Sequence, residues 1–255
     1  MCYDVATMTK KAKHYAKRYG YPAVWEQAKL KYPEMYHLNG FDEPDLPVIT
    51  NEKPDIVSFH HWAFVPLVYA PKINGRPMTT LNARDDKIFS DKSVYKPSAE
   101  NKRCLVMLDG FYDHRKKDGV AYPYFIQLKT KEPFLVGGLW QTFHDPTDNI
   151  SINTVTLVTG PANKEMAWIH NEPAYSPDSR MIYIVDSGDD DTWLHGSEED
   201  AKSLIKPLPD GMLDYYPCQP IKANKKLNRT YLGNTPDIQA RKYYPELEEV
   251  QGGLF

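Results

Sequence analysis

Apolar and polar positions divide this chain into a helical beginning and a longer β-rich remainder. Ala12, Tyr15, Ala16 and Tyr19 recur at i, i+3, i+4 and i+7, the spacing of one helix face. The pattern predicts a helix over 9–19, with Thr9 able to cap its start and Gly20 then Pro22 ending it. A shorter helix is expected over 23–31. Residues 33–55 are rich in Pro, Asp, Glu and Asn and read as loop with at most one short strand. From residue 56 the character turns to β. A strand interrupted near His60 and His61 is expected over 56–65, and 104–108 is a short, continuous apolar strand. Residues 122–128 and 153–159 alternate. The Asp118-Gly119 pair marks a hairpin joining 111–115 to 120–128.

Further strands are expected over 134–140 and 181–185. Helices are expected over 161–170, with Pro161 in the first turn, and over 197–205, where Asp200 follows the Ser197 cap by three residues. Thr235-Pro236-Asp237 opens a last helix, and 251–255 reads as a frayed tail. These elements predict one α+β domain over 1–255. Its centre is a strongly bent, mainly antiparallel, barrel-like sheet with peripheral helices.

Composition sharpens this picture at a few points. The 255 residues include 18 Tyr, 9 Phe, 5 Trp and 21 Pro, a mix that favours strands and turns over a helical bundle. No apolar run approaches the ~18 residues of a membrane helix. The first twenty residues are polar and basic, with no signal-peptide core, so a cytoplasmic protein is expected. Net charge is −3, which disfavours nonspecific wrapping of long duplex DNA. Nucleic-acid contact would need a local patch. The candidates are Lys10, Lys11, Lys13, Lys17 and Arg18, and Lys222, Lys225, Lys226 and Arg229, each of which reads equally as a solvated face.

Three cysteines without a CxxC argue against a disulfide framework and a zinc site. Cys104 reads as a small buried hydrophobe, and Cys218 has no partner signal. Adjacent His60 and His61 point to opposite faces of a strand and do not make a metal pair. Nucleotide-loop, nucleophile-elbow and zincin motifs are absent. No cofactor or metal is expected.

The residue that carries chemistry is the second. Cys2 follows Met1 directly, and removal of Met1 would leave a thiol and an α-amine on one residue. With reference values of about 8.5 for the thiol and about 7.7–8.0 for the amine, a useful fraction of the amine is neutral at pH 7. Such a pair condenses with an aldehyde, first to an imine and then to a five-membered ring.

Four later segments accompany Cys2. They are Trp62-Ala63-Phe64-Val65-Pro66, Asn82-Ala83-Arg84, the stretch from Arg103 to Asp113, and Ile169-His170 followed by Arg180-Met181. This order resembles the SOS-response-associated peptidase (SRAP) family of abasic-site-processing proteins. There the segments read M-C, W-G-x-x-P, N-A-R, R-C-L-x-P-x-x-G-[FWY]-[FY]-E, and I-H followed by R-M-P. The resemblance implies that Cys2 is the nucleophile, that Asn82 orients it and the substrate, and that His170 assists sugar-ring opening. It also implies that Asp113 occupies the place of a catalytic glutamate and that Arg84 and Arg180 contact DNA phosphate.

The chain departs from the pattern at Asp113, one methylene shorter than Glu. Tyr3 stands where glycine is common, and Ala63, Met107 and Ile182 replace glycine, proline and proline.

Each residue also has a plainer reading. Asn82 suits a turn, and Arg84 beside Asp85 and Asp86 suits surface ion pairs. Trp62 is either core or a platform packing against displaced bases. His170 ends a short helix, where the dipole favours imidazolium. Alternation sets Asp109, Phe111 and Asp113 on one face, where desolvation raises a carboxylate pKa.

The expected activity is capture of abasic sites in single-stranded DNA as a Cys2 thiazolidine crosslink, by a protein expected to be monomeric. The alternatives are an N-terminal-nucleophile cysteine peptidase or amidohydrolase that processes Met1, and a noncatalytic binder of single-stranded DNA.

Overall fold

The computed structural model describes residues 2–20, 22–66, 72–73, 76–77, 80–145, 149–171 and 179–248. Met1 and the expected frayed tail lie outside them. Strand β1 (Asp4–Thr7) precedes helices α1 (Ala12–Tyr19) and α2 (Pro22–Lys31), then β2 (Met35–Asn39), β3 (Asp45–Thr50) and β4 (Lys53–His61). A two-stranded ribbon, β5 (Lys72–Ile73) and β6 (Arg76–Pro77), leads to β7 (Asn82–Arg84), α3 (Asp85–Ile88) and α4 (Lys96–Asn101). Five strands follow: β8 (Arg103–Leu108), β9 (Gly110–Lys117), β10 (Val120–Leu128), β11 (Phe134–Asp145) and β12 (Ile150–Pro161). The chain closes with α5 (Lys164–Ile169), β13 (Arg180–Ile182), α6 (Asp190–His195), α7 (Glu198–Leu204) and β14 (Leu213–Pro217), followed by short 3-10 turns.

The fold is α+β and barrel-like. Strands β11, β8, β3, β4 and β12 pair in that order, and β12 returns to β11, closing a ring. Only the β12–β4 junction of the ring is parallel, through Thr154 and His61. A second sheet runs β14-β10-β9-β1-β2.

Cys104, Val106 and Leu108 of β8 join one buried cluster, while Leu105 and Met107 join another with Tyr15 and Trp25 of the helices. Both faces of β8 are therefore covered, which is why its sequence shows no alternation. A third cluster packs Cys218, Ile221 and Ile238 on Ala6, Tyr112 and Phe125, so the C-terminal segment covers the outer face of the second sheet. Among the described residues, no helix is long and apolar enough to cross a membrane.

Several local expectations hold. Lys117 pairs with Val120 across a two-residue turn, with Asp118 and Gly119 at φ 51° and 75°. Ser197 and Asp200 form a reciprocal capping box.

Others are corrected. Residues 33–55 contain β2 and β3, although Pro47 sits inside β3. Lys11 occupies the N-cap of α1, because the Thr9 hydroxyl is spent on Asp109 at 2.7 Å. Pro161 ends β12, and α5 begins only after Asn163, whose side chain accepts from Met166 N at 2.9 Å. The strand expected over 181–185 is Arg180–Ile182, with a separate bridge between Ile184 and Val136. The last helix is a 3-10 turn, Pro236–Gln239.

Candidate active site

Strand β1 pairs with β9 no further than Asp4 opposite Tyr112, whereas β9 runs on to Lys117. The edge that β1 leaves open becomes a cleft of about 180 Å³ lined by Tyr3, Asp4, Tyr112, Asp113, His114, Lys116 and His170. Cys2 enters beside it. Its side chain is buried, and the thiol donates to the Asp4 carbonyl at 3.5 Å. Burial, then the negative charges of Asp113 and Asp4, push the thiol pKa up, so it is protonated at neutral pH.

Asn82 reaches Cys2 from β7, which pairs in parallel with β12. Its Nδ2 donates to the Cys2 carbonyl at 2.7 Å, while its Oδ1 is buried and has no partner among the described residues. The carbonyl it holds is thus Cys2's own.

Opposite, the Asp113 carboxylate accepts from the His114 backbone N–H at 2.7 Å and meets His170 Nδ1 at 3.0 Å. His170 caps the C-terminus of α5, and its side chain is a third exposed. Two contacts fasten that turn to β9. Arg115 donates to the Trp168 carbonyl and lies 3.9 Å over the Trp168 ring. Asn171 accepts from Lys116 N–H at 2.8 Å and donates to Lys116 O at 2.7 Å.

Sequence reasoning assigned no role to Arg115 or Asn171. It also missed a buried chain in which Asp4 Oδ1 meets His37 Nε2 at 3.0 Å, with His37 Nδ1 2.9 Å from the Tyr231 hydroxyl. Residues so far apart in sequence give no local pattern.

Asp113 and His170 line the cleft, while the buried Cys2 lies near enough to feel the charge of Asp113 and Asn82 bonds the Cys2 carbonyl; neither Cys2 nor Asn82 is among the lining residues. The other three candidates are placed differently. Arg84 makes a two-pronged pair with Asp86 at 2.9 and 3.0 Å. Arg180 pairs with Asp85 and also bonds Thr159. Arg84 thus makes the surface ion pair that its plainer reading anticipated, whereas the pairing of Arg180 was not anticipated. Trp62 has no exposed surface, and its Nε1 donates to Leu81 O at 2.8 Å. Its expected role as a base platform is corrected: a ring sealed in the core has no face to offer a base. Burial likewise raises the pKa of Asp109, whose Oδ2 accepts from Thr9 and Tyr15 away from the cleft. Among the described residues, no cluster of three or more His, Cys, Asp or Glu side chains suits a metal ion.

A family model described as SOS response associated peptidase (SRAP) matches residues 1–223, most of the chain. The chain belongs to the SRAP family. One relative, the abasic site processing protein HMCES of Xenopus tropicalis, is 27% identical over 209 residues, covering 72% of this chain and 57% of that protein. The abasic site processing protein YoqW of Bacillus subtilis is 27% identical over 152 residues, covering 58% of this chain and 63% of its own. The chain thus spans less than two thirds of the length of either.

A crystal structure of a protein from Bacteroides thetaiotaomicron superimposes with a TM-score of 0.76 at 27% identity, over 95% of this chain and all of that one. A protein from Bordetella bronchiseptica, at 16% identity, shares the fold with a TM-score of 0.67 over 86% of this chain.

Where this SRAP chain departs from the family pattern, the structure accommodates it. Ala63 and Met107 are buried, and Ile182 joins the main core. Tyr3 packs its ring 5.0 Å from that of Phe41.

Proposed function

We propose that this SRAP protein captures abasic sites in single-stranded DNA through Cys2 once Met1 has been removed. The observation that supports the reading is the Asn82–Cys2 contact, made to a buried thiol residue that feels the charge of Asp113, the partner of His170. An abasic sugar opens to an aldehyde at C1′. The Cys2 amine adds to that carbon, and water leaves with the aldehyde oxygen to give an iminium. The thiol then adds to C1′. The leaving water carries one amine proton and one proton from the His170–Asp113 pair, and the thiol proton released as the C–S bond closes the thiazolidine restores that pair. The amine acts first, because imine formation supplies the electrophilic carbon at which the thiol closes the ring.

In this reading His170 and Asp113 move protons at the sugar oxygen and carbinolamine. The unpartnered Asn82 Oδ1 accepts from the liberated amine and orients its lone pair. Arg84 and Arg180 would contact phosphate only by exchanging carboxylate partners for it. The names of the relatives support the choice of substrate.

Denaturing gels with an abasic oligonucleotide test the proposal, together with intact mass of the protein. A covalent adduct is expected with wild type and none with Cys2→Ala. Equal adduct from both proteins sinks it. Loss of Met1 without any DNA adduct would favour the peptidase reading instead.

A further inference from the structure

The C-terminal loop 222–229 carries lysines that, among the described residues, have no carboxylate partner, unlike the two arginines of the family segments. Arg84 and Arg180 are each paired with an aspartate. Lys222, Lys225 and Lys226 are exposed, and among the described residues none of them pairs with a carboxylate.

The loop is built rather than loose. Asn224 caps the 3-10 helix Lys225–Leu227 by accepting from Leu227 N–H at 3.2 Å. Asn224 and Arg229 exchange two backbone hydrogen bonds of 2.9 Å. Arg229 Nη1 donates to Ala121 O at 2.6 Å, anchoring the loop to β10. Ile221, just before it, is buried against the second sheet.

The loop also reaches the cleft. Lys222 and Arg229 both act electrostatically on His114, a cleft residue. Lys222 Nζ lies 5.9 Å from the centre of the Phe41 ring. Phe41 is 66% exposed and packs on Tyr3, which lines the cleft. Tyr3, Phe41 and Lys222 thus follow one another from the cleft toward the loop.

We infer that loop 222–229 is a phosphate track for the strand leaving the cleft, with Lys222, Lys225 and Lys226 facing successive phosphates and Phe41 stacking a base beside the lesion. A single strand fits this surface, because an unpaired base offers the ring a free face while its phosphates meet the lysines. The inference rests on the reading of the site given above. Most of the loop lies beyond residue 223, where the match to the family model ends.

The test is equilibrium binding of a fluorescent single strand carrying a borohydride-reduced abasic sugar, which cannot crosslink, measured across a salt series. Changing Lys222, Lys225 and Lys226 together to Gln is expected to flatten the log K against log salt slope by about 2, since each phosphate contact on single strands contributes about 0.7. Phe41→Ala is expected to weaken binding at least about fivefold with the slope unchanged. An unchanged slope in the triple variant, with melting temperature equal to wild type, overturns the track. Crosslinking of a short abasic trinucleotide separates this inference from the reading beneath it. If the slope flattens but wild type forms no adduct, the track stands and the Cys2 chemistry falls. If adduct forms but the slope is unmoved, the reverse holds.

Discussion

The Asp113 carboxylate and the His170 imidazole meet at 3.0 Å although 57 positions separate them in the chain. Arg115 and Asn171 draw the end of α5 onto β9, so the histidine is seated at the reach of an aspartate. A glutamate there adds a methylene and pushes the ring out of its seat. Asp113→Glu is therefore expected to slow crosslinking, by up to about a hundredfold. Asp113→Asn removes the base and is expected to slow it by roughly 10²–10⁴-fold. Single-turnover crosslinking rates check both. A glutamate variant faster than wild type would show that the seat is not matched to aspartate.

Asn82 holds the Cys2 carbonyl by a 2.7 Å bond. Asn82→Ala removes that bond and the orphan acceptor beside it. A stability loss of about 1 kcal/mol is expected, which corresponds to roughly 2–4 °C in melting temperature. The crosslinking rate is expected to fall much further, by about a hundredfold, because the amine loses its orientation. Calorimetry and rate measurements on one preparation separate the two effects. Equal fractional losses in both would assign Asn82 to stability alone.

The sequence was legible where local chemistry decided the outcome. Asp118 and Gly119 announced their turn, and Ser197 and Asp200 announced their cap, because each signal lies within four residues. It was silent where tertiary context decided. Strand β3 is held by β8 and β4 despite Pro47, and ring closure depends on Thr154 meeting His61 across more than ninety residues. At the site, ordered motifs pointed to Cys2, Asn82, Asp113 and His170; of these Asp113 and His170 line the cleft, and Asn82 bonds Cys2. Trp62 misled because burial of its ring depends on Gly40, where an added Cβ would come within 3.1 Å of that ring. The grip of Arg115 on Trp168 could not be read from two residues 53 positions apart.

Asp85 and Asp86 occupy the Arg180 and Arg84 guanidiniums, which the proposed function would have exchange those partners for phosphate. Replacing both by Asn is expected to strengthen binding of undamaged single-stranded DNA and to steepen its salt dependence by about 0.7 for each phosphate gained. Arg84 has the simpler exchange, since its pair with Asp86 lies at the surface, where such pairs contribute little. Salt-series anisotropy measures the slope directly. A slope that stays at the wild-type value would mean that neither arginine reaches the DNA backbone.

His60 offers a pH test independent of DNA. Its ring is buried against Trp140, its Nε2 lies 2.9 Å from Ser58 Oγ, and its Nδ1 has no partner. Burial lowers its pKa from 6.5 to about 4, since a charged ring there would be poorly solvated. The unfolded chain therefore binds this proton more readily than the folded one. The contribution to stability is complete above pH 6.5 and is lost as the pH falls toward 4, by about 3 kcal/mol over that window. His60→Phe keeps an aromatic ring beside Trp140 and leaves the Ser58 hydroxyl its bond to Val48 O at 3.2 Å. The variant is expected to lose less stability than wild type between pH 6.5 and 4, with the two curves converging as the pH drops. Urea denaturation at half-unit pH steps tests this, and parallel curves would show that His60 does not titrate between the folded and unfolded states.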